Sequence, residues 1–294
     1  MTSQPPICNY EGSDYQQRFW EQGGRAYEDA VEAVALRRLL PAQGHLLLEL
    51  GAGAGRNTPR YTGFEKIVLL DYSRTQLEQA RARLGDRPQY RYVAADIYHL
   101  PFVPSLFDGA TMIRTLHHMA EPRLALDNVQ RVLQNNAVFI LEFANKQNLK
   151  AILRYWLKKQ SWSPFAPEPV EFAPLNFDFH PATIRSWLRQ SGFDIERTLT
   201  VSHFRFHLLK RILPLPLLVG MDSLAQLTGN WWQLSPSVFV HCRVVKASLS
   251  NPVSGFFACP ACQTPLEDTP PLITCPDCGR QFPVENQIYD FRLN

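Results

Sequence analysis

The stretch from Leu46 to Asn57 constrains the fold more than any other part of the sequence, and it reads LLLELGAGAGRN. A short apolar run is typical of a strand buried on both faces. This run ends in three glycines, Gly51, Gly53 and Gly55. Glycine is needed where the backbone adopts positive φ or where a ligand approaches without a Cβ in the way. We therefore expect a strand, a tight turn holding a small ligand, and the start of a helix whose free N–H groups could bind an anion.

The residues around the glycines narrow the choice of ligand. A dinucleotide fingerprint has a glycine or alanine five residues after its first glycine, where this chain has Arg56. An acid, Glu49, stands before the glycines and gives E-x-G-x-G-x-G. This pattern resembles the first motif of the class I S-adenosylmethionine-dependent methyltransferases, in which the acid and the glycine turn hold the methionine part of the cofactor. From this motif alone, another nucleotide or a merely structural turn stays open.

Acidic residues also follow the next two predicted strands. Asp71 ends the strand Glu65–Asp71 and could accept both ribose hydroxyls of an adenosine, although it could instead cap the next helix. Asp96 follows the strand Tyr90–Ala95, and the resemblance implies that an acid there accepts from the adenine amino group. A dehydrogenase has no general need for that acid. The resemblance implies a cofactor site made of Glu49, Gly51, Ala52, Gly53, Asp71, Tyr72, Asp96, Ile97 and Arg114.

The alternation of predicted strands and helices gives the fold class. A strand begins at Phe107, a helix covers 121–133 and a further strand covers 137–143. Such alternation means a parallel sheet with right-handed crossovers. We predict an α/β fold, with a Rossmann-like, seven-stranded, mostly parallel sheet and helices on both faces. The last two strands, 193–203 and 237–246, would form its closing antiparallel hairpin.

Two histidines, His117 and His118, follow the predicted fourth strand in the run L-H-H. The run resembles the fourth motif of ubiquinone-biosynthesis-like methyltransferases, which lies beneath the transferring methyl group. A histidine could take a proton from the acceptor, and both are candidate catalytic residues. Methyl transfer from a sulfonium is nevertheless an in-line displacement of a good leaving group, so alignment does most of the work and a base is optional. Local hydrogen bonding is the alternative role.

A helix is predicted from Ala26 to Leu40. In related methyltransferases such an N-terminal helix folds over the cofactor and acceptor pocket. Aromatic residues precede or begin the helix, and they could line that pocket or simply pack in the core: Tyr15, Phe19, Trp20 and Tyr27.

The resemblance implies that residues 145–234 are the part of the chain that varies within the family and determines the acceptor. Within them, 145–214 carries 11 basic and 5 acidic side chains. This surplus could attract an anionic partner such as RNA, a phosphorylated metabolite or an anionic lipid surface. A solvated helix face is the simpler interpretation. The acceptor is expected to be a small, lipid-like molecule or RNA.

The C-terminal residues carry a second signal. Cys259, Cys262, Cys275 and Cys278 form two C-x-x-C pairs with 12 residues between them, close to the spacing of a zinc ribbon. Four thiolates leave no open position, so we expect a structural Zn²⁺ that staples a module too small to be stable alone. Disulfides are the alternative. The run resembles the small zinc-ribbon activators that bind methyltransferases, here fused to their enzyme and packed on it. Cys8 and Cys242 stand apart and are expected to be packed thiols.

These observations give one preferred function and two alternatives. We predict a methyltransferase using S-adenosylmethionine, with no secretory signal or transmembrane segment and with a cytoplasmic location. The alternatives are a non-catalytic scaffold that binds the cofactor and serves RNA or protein, and a dinucleotide-dependent oxidoreductase. The predicted domain organisation is a methyltransferase domain over 1–247, a linker over 248–255 and a zinc ribbon over 256–294.

Overall fold

The structure is a computed structural model that describes residues 5–13, 20, 23–246 and 254–293. The predicted pocket aromatics Tyr15 and Phe19, and most of the predicted linker, lie outside these residues. Up to residue 246, the chain forms α1 (Ala26–Leu39), β1 (Gly44–Leu50), β2 (Phe64–Asp71), α2 (Arg74–Leu84), β3 (Tyr90–Ala94), β4 (Phe107–Met112), α3 (Pro122–Val132), β5 (Leu133–Ala144), α4 (Leu149–Trp156), β6 (Val170–Ala173), β7 (Asn176–Asp178), α5 (Pro181–Gln190), β8 (Phe193–Val201), α6 (His207–Ile212), α7 (Leu215–Ala225) and β9 (Ser237–Val244).

The C-terminal segment, residues 254–293, contains five further strands. They are β10 (Phe257–Ala258), β11 (Pro265–Leu266), β12 (Leu272–Thr274), β13 (Gln281–Glu285) and β14 (Ile288–Asp290).

The central sheet confirms the predicted Rossmann-like fold and is larger than predicted. Its seven expected strands lie in the order β3-β2-β1-β4-β5-β9-β8. The first five are parallel, and β9 and β8 form the closing antiparallel pair. The C-terminal segment adds three more strands, because β14 pairs in parallel with β3 and is followed outward by β13 and β12. The described sheet therefore has ten strands.

Helices cover both faces of the sheet, as predicted. One face packs against α1, α2 and α7, and the other packs against α3 and α5. The second face shares its apolar core with the C-terminal segment, since Phe257, Phe282 and Phe291 are buried in the same cluster as Leu48. The parallel strands are covered on both sides and accordingly read as continuous apolar runs.

The expected helix directly after the glycine turn is wrong. The turn leads only into a three-residue 3-10 helix, Thr58–Arg60, and then into β2. The chain has no room for more, because Tyr61 turns into the core and the hydroxyl of Thr111 on β4 donates a hydrogen bond to its hydroxyl oxygen, with 3.1 Å between them. The glycine turn therefore offers a ligand its own backbone and side chains, without the N-terminus of an α-helix.

The region between β5 and β9 contains elements that the sequence did not reveal. The β6–β7 hairpin interrupts the proline-rich stretch before α5, and α6 and α7 fill the connection from β8 to β9. The longest helix in the described part of the chain, α1, has 14 residues, and no described helix has the length and apolar character needed to cross a membrane.

Candidate functional site

A cleft lies where strands β1 to β4 end. Its empty volume is about 1080 Å³, including the part open to solvent, and its walls are both apolar and polar, as in sites for small ligands. Ligands of open α/β sheets bind at this edge, beyond the carboxyl ends of the strands. The structure brings all nine predicted cofactor-binding residues to its walls: Glu49, Gly51, Ala52, Gly53, Asp71, Tyr72, Asp96, Ile97 and Arg114.

The glycine turn fixes the floor of the cleft. Gly51 has a φ of +66°, and a Cβ there would lie 2.1 Å from the Oγ1 atom of Thr115, so only glycine fits. Gly53 has a φ of +53° and a nearly open Cβ position. Its N–H donates to the Oδ2 atom of Asp71 at 2.8 Å, which ties the turn after β1 to the end of β2.

Glu49 is buried at the end of β1, below the glycine turn. The hydroxyl of Thr58 donates to its Oε2 atom at 2.6 Å. Burial raises the pKa of Glu49 to about 7, although hydrogen bonds from Thr58 and Tyr61 and the positive charge of Arg56 oppose the shift. The cleft therefore contains a carboxyl group that a cationic ligand would hold in its charged form.

Asp71 sits at the tip of β2. Its two oxygens accept the N–H groups of Gly53 and Ser73, at 2.8 and 2.9 Å. Burial raises the pKa of Asp71, and these two N–H groups partly oppose the shift. The cap of α2 is Ser73, whose hydroxyl accepts the N–H of Gln76. The capping role considered for Asp71 is thus filled by its neighbour.

Asp96 sits just past the tip of β3. It accepts the N–H of Tyr98 at 2.9 Å, and the Nδ1–H of His99 lies 3.1 Å from its other oxygen. Both contacts come from the turn that follows β3, so they fix the direction of the carboxylate. Ile97, which the resemblance places in the cofactor site, also lines the cleft.

Two arginines join the cleft to α1 through a buried acid. Glu32 is fully buried and receives Arg56 at 2.8 Å and the Nε atom of Arg114 at 2.6 Å. Burial alone would raise the pKa of Glu32, but the positive charges of Arg114 and Arg56 outweigh it and the pKa is lowered. The guanidinium of Arg56 lies 3.5 Å from the ring centroid of Trp20, which also lines the cleft. Sequence reasoning missed this network because Glu32 and Arg114 are 82 residues apart.

The two histidines differ in their surroundings. His118 lines the cleft, whereas His117 is not among the residues that line it. The Nδ1 atom of His118 lies 3.0 Å from the carbonyl of Leu175, and its Nε2 lies 3.2 Å from the hydroxyl of Tyr10. A carbonyl only accepts, so Nδ1 carries the proton and Nε2 accepts from Tyr10. Burial lowers the pKa of both histidines, His117 the more strongly.

Two further ionisable groups, which sequence reasoning did not single out, lie in the region between β5 and β9. Burial raises the pKa of Asp178, at the end of β7, to about 6, against the opposing charge of Arg205. Arg205 has a buried Nε and a buried Nη2 that lack a hydrogen-bond partner among the described residues. Buried polar atoms of this kind are uncommon in native proteins. Nothing in the linear pattern distinguishes Arg205 from the other basic residues of 145–214.

The four predicted metal-ligating cysteines lie together. The Sγ atoms of Cys259, Cys262, Cys275 and Cys278 are all within 4.8 Å of one another, and none is in a disulfide. Two Sγ pairs are 3.5 and 3.6 Å apart. Thiolates around a tetrahedral Zn²⁺ lie about 3.8 Å apart, from a Zn–S distance of about 2.3 Å. The donor set and its size therefore fit zinc. Cys242 is buried and Cys8 partly buried, away from this cluster.

The C-terminal segment reaches the wall of the cleft. Arg292 pairs with Asp290 at 2.6 Å and with Glu11 at 3.3 Å, and its Nη1 atom lies 3.5 Å from the carbonyl of Tyr72. Tyr72 is one of the residues that line the cleft. The same arginine thus touches the N-terminal residues, the C-terminal segment and the loop after β2.

Comparisons with known proteins agree with this arrangement. Residues 48–141 match a family described as a methyltransferase domain. The chain is 31% identical over 135 residues to the O-methyltransferase cnsE of Penicillium expansum. This alignment covers 42% of this chain and 48% of cnsE. The chain is 29% identical over 184 residues to the demethylmenaquinone methyltransferase of Clavibacter sepedonicus. This alignment covers 58% of this chain and 75% of that relative. The chain thus covers only about half the length of cnsE.

Solved structures show the same fold. One chain of the complex between the Haloferax volcanii Trm112 methyltransferase activator and a candidate methyltransferase matches with a TM-score of 0.57 and 13% identity, over 79% of this chain and 96% of that chain. An S-adenosylmethionine-dependent methyltransferase from Listeria monocytogenes matches with a TM-score of 0.54 and 17% identity, over 75% of this chain and 99% of the other. These similarities show the α/β fold, and the family match marks residues 48–141 as similar to a methyltransferase domain.

Proposed function

We propose that this chain transfers a methyl group from S-adenosylmethionine to a small apolar molecule. The observation that carries the proposal is the convergence of Glu49, Asp71 and Asp96, from the ends of three adjacent strands, on one cleft closed below by the glycine turn. A dinucleotide needs anion contacts to its pyrophosphate, and an acid-lined cleft with no helix N-terminus behind the turn disfavours it.

The side chains fit the parts of this cofactor. Glu49, which is buried and has a pKa of about 7, would face the ammonium group. The nearly open Cβ position of Gly53 leaves room for the methionine chain. Asp71 keeps oxygen lone pairs for the ribose hydroxyls beyond the two that accept backbone N–H groups. Asp96 would accept from the adenine amino group, with Ile97 beside it. Arg114 would form part of the cleft wall, while its guanidinium stays paired with Glu32.

The chemistry requires alignment more than proton transfer. Bound S-adenosylmethionine supplies an electrophilic methyl group on a sulfonium, whose departure leaves a neutral thioether. The protein has to hold the acceptor in line and keep water out. Trp20 and Tyr10 line the cleft and would serve that second purpose. We infer that His118 positions Tyr10 and Leu175, because both of its ring nitrogens are already engaged.

The names of the relatives favour a small acceptor over RNA. The curated relatives include O-methyltransferases and demethylmenaquinone methyltransferases. The Asn-Pro-Pro-aromatic signature used for planar amino nitrogens is absent after β4, where the chain reads Ile113-Arg114-Thr115-Leu116. We therefore infer a hydroxyl or ring-carbon acceptor.

We further infer that the C-terminal segment is a zinc ribbon with a stabilising role. Its four cysteines would hold Zn²⁺ with no open position, so the metal would supply folding energy and no chemistry. One structural relative is a methyltransferase in complex with an activator. In this chain the segment would support the cofactor cleft from within the same polypeptide.

Calorimetric titration with S-adenosylhomocysteine tests the cofactor assignment. Asp96→Asn should weaken binding by roughly tenfold, since a carboxylate hydrogen bond is worth about 1.5 kcal/mol or more. Asp86→Asn, an exposed acid paired with Arg81 outside the cleft, should bind like the wild type. Binding of NAD without binding of S-adenosylhomocysteine would overturn the assignment in favour of an oxidoreductase.

Methyl transfer is tested with S-adenosylmethionine carrying a tritiated methyl group and a fractionated cell extract. Label should enter the small-molecule or lipid fraction. Label confined to RNA or protein would contradict the proposed acceptor, and cofactor binding without label in any fraction would favour a non-catalytic scaffold.

A further inference from the structure

The helix α4 buries only a narrow face. Ala151 and Ile152 are buried, whereas Leu149, Leu153 and Trp156 are exposed. Their spacing of four and three residues places the exposed side chains on one side of the helix. A surface helix normally turns such an apolar stripe toward the core. In α4 the stripe faces outward instead, and Trp156 is 66% exposed.

The helices α6 and α7 repeat this arrangement. One face of α7 packs against α1, and the other presents Leu217, Met221 and Leu224, again four and three residues apart. Leu224 is 72% exposed. In α6, Leu208 and Ile212 are four residues apart and both exposed. Exposed apolar residues scattered singly are ordinary, but a continuous set of them indicates a binding surface.

The segment after α7 joins these helices to α4. A 3-10 turn continues α7, and it is followed by Trp231 and Trp232, which are 78% and 60% exposed. The N–H of Leu149, the first residue of α4, donates to the carbonyl of Leu234 at 2.8 Å. This hydrogen bond brings the segment that carries the exposed tryptophans to the first turn of α4.

Basic side chains accompany this surface. Lys150 and Arg154 are exposed, and each directly follows a leucine of the apolar stripe of α4. Lys158 and Lys159 are exposed just after the helix. Arg211 is exposed beside Ile212 in α6. The docking surface is defined here as residues 149–160 and 206–234, and the one acid in these segments, Asp222, is buried.

We propose that the docking surface binds the interface of an anionic lipid bilayer. Short helices with leucine and tryptophan on one side and lysine or arginine beside them lie in the headgroup region, where apolar tips enter the acyl boundary and cations meet anionic lipids. The helices have 8, 6 and 11 residues, so they would lie on the bilayer and not span it. Charge complementarity selects this partner, because these segments offer exposed cations and no exposed acid.

Vesicle flotation of the full chain tests the proposal without any methyl transfer, so its outcome is independent of the proposed function. Vesicles of phosphatidylcholine alone are compared with vesicles containing 30% phosphatidylglycerol, on the order of the anionic content of natural surfaces. We expect binding to the anionic vesicles at least about tenfold stronger, and weaker at high salt. Lys158→Glu with Lys159→Glu should weaken it at least about tenfold, since each basic residue near the surface contributes about a fivefold factor.

The apolar contribution is tested with Trp231→Ser and Trp232→Ser together. This variant should lose most vesicle binding, and quenching of tryptophan fluorescence by brominated lipid should fall with it. Leu124→Ser, at an exposed leucine on α3, and Arg87→Glu, at an exposed arginine before β3, are the controls and should bind like the wild type. Circular dichroism melting checks that every variant is folded.

Two results would overturn the proposal. One is vesicle binding by the wild type that is no stronger than that of the tryptophan and lysine variants. The other is a wild type that does not bind vesicles and forms a stable dimer in sedimentation equilibrium, while the tryptophan variant is monomeric. A second copy of the chain would then cover the surface.

Discussion

The N–H of Phe291 donates to the carbonyl of Ala94 at 2.8 Å. Ala94 is the last residue of β3, two residues before Asp96, and Phe291 follows β14 directly. The strand that carries the proposed adenine contact is thus hydrogen-bonded to β2 on one side and to the C-terminal segment on the other. The geometry of the cleft therefore depends on the segment that contains the four cysteines.

Loss of the proposed Zn²⁺ should weaken binding of the proposed cofactor. Cys259→Ser removes one of four thiolates, and we expect the variant to lose its bound zinc, the order of β12 to β14 and most of its affinity for S-adenosylhomocysteine. Elemental analysis and calorimetry measure these effects. Cys242→Ser, a buried thiol outside the cluster, is the control and should retain both zinc and affinity. A zinc-free variant with wild-type affinity would contradict the dependence.

Arg292 should contribute to the adenosine side of the cleft. Arg292→Gln removes the contacts with Glu11 and the carbonyl of Tyr72. Because Arg292 bonds to other protein groups and not to the ligand, only part of the roughly 1.5 kcal/mol of such a bond reaches the affinity, which should fall by about threefold for S-adenosylhomocysteine. Arg280→Gln changes an exposed arginine of the same segment and should have no effect. Equal affinities of the two variants would show that Tyr72 needs no such support.

Cofactor binding should depend on pH through Glu49. Its pKa is raised by burial to about 7, and an ammonium ligand favours the charged form. Affinity should therefore fall by up to about tenfold for each pH unit below 7. In the ligand-free protein the sign is the reverse, because a raised pKa adds stability at low pH that is lost as the pH rises through 7. Calorimetry between pH 5.5 and 8 measures the slope, and Glu49→Gln should flatten it.

The buried acid on α1 should contribute strongly to the free energy of unfolding. Glu32→Gln leaves Arg56 and Arg114 facing a neutral group, and breaking one partner of a buried ion pair costs about 3 kcal/mol. Because the pKa of Glu32 is lowered, its contribution is present above the ordinary carboxyl pKa and is lost as the pH falls below it. Urea unfolding measures the loss. Glu78→Gln, an exposed partner of Arg74, should change stability by less than about 1 kcal/mol.

His118 should act by positioning and not as a base. Removal of a general base costs about 10² to 10⁴ in rate, whereas His118→Ala should lower kcat by less than about tenfold and raise KM for the acceptor more. The assay uses tritiated methyl transfer into the extract fraction that takes label. His45→Ala, an exposed histidine at the start of β1, is the control. A loss of kcat above about a hundredfold would restore the catalytic role.

The strands and their acidic ends were predictable because each signal is local. The apolar runs of β1, β2 and β3 are buried on both faces, and Glu49, Asp71 and Asp96 are adjacent to them in sequence. Parallel strands bring their carboxyl ends to one edge, so the meeting of these acids follows from the order of the elements.

The features that were missed depend on contacts between distant residues. The 3-10 turn at Thr58–Arg60 has the asparagine and proline of a helix start, but the packing of Tyr61 ends it. The three residues of β14 carry no recognisable strand pattern, and they are ordered by the free hydrogen-bonding groups of β3. The exposed apolar stripe of α4 has the same sequence periodicity as a stripe that packs on the core. Only the fold determines which way such a stripe faces.

The pairing of β14 with β3 also has a consequence for solubility. A parallel strand with one uncovered side is a template for pairing with other chains and for aggregation. In this protein the covering strand is part of the same polypeptide, so it is present at an effective concentration of the order of millimolar and in fixed one-to-one stoichiometry. Expression of the chain without its cysteine-bearing segment would therefore be expected to yield self-associating material, even if every residue of the cleft were retained.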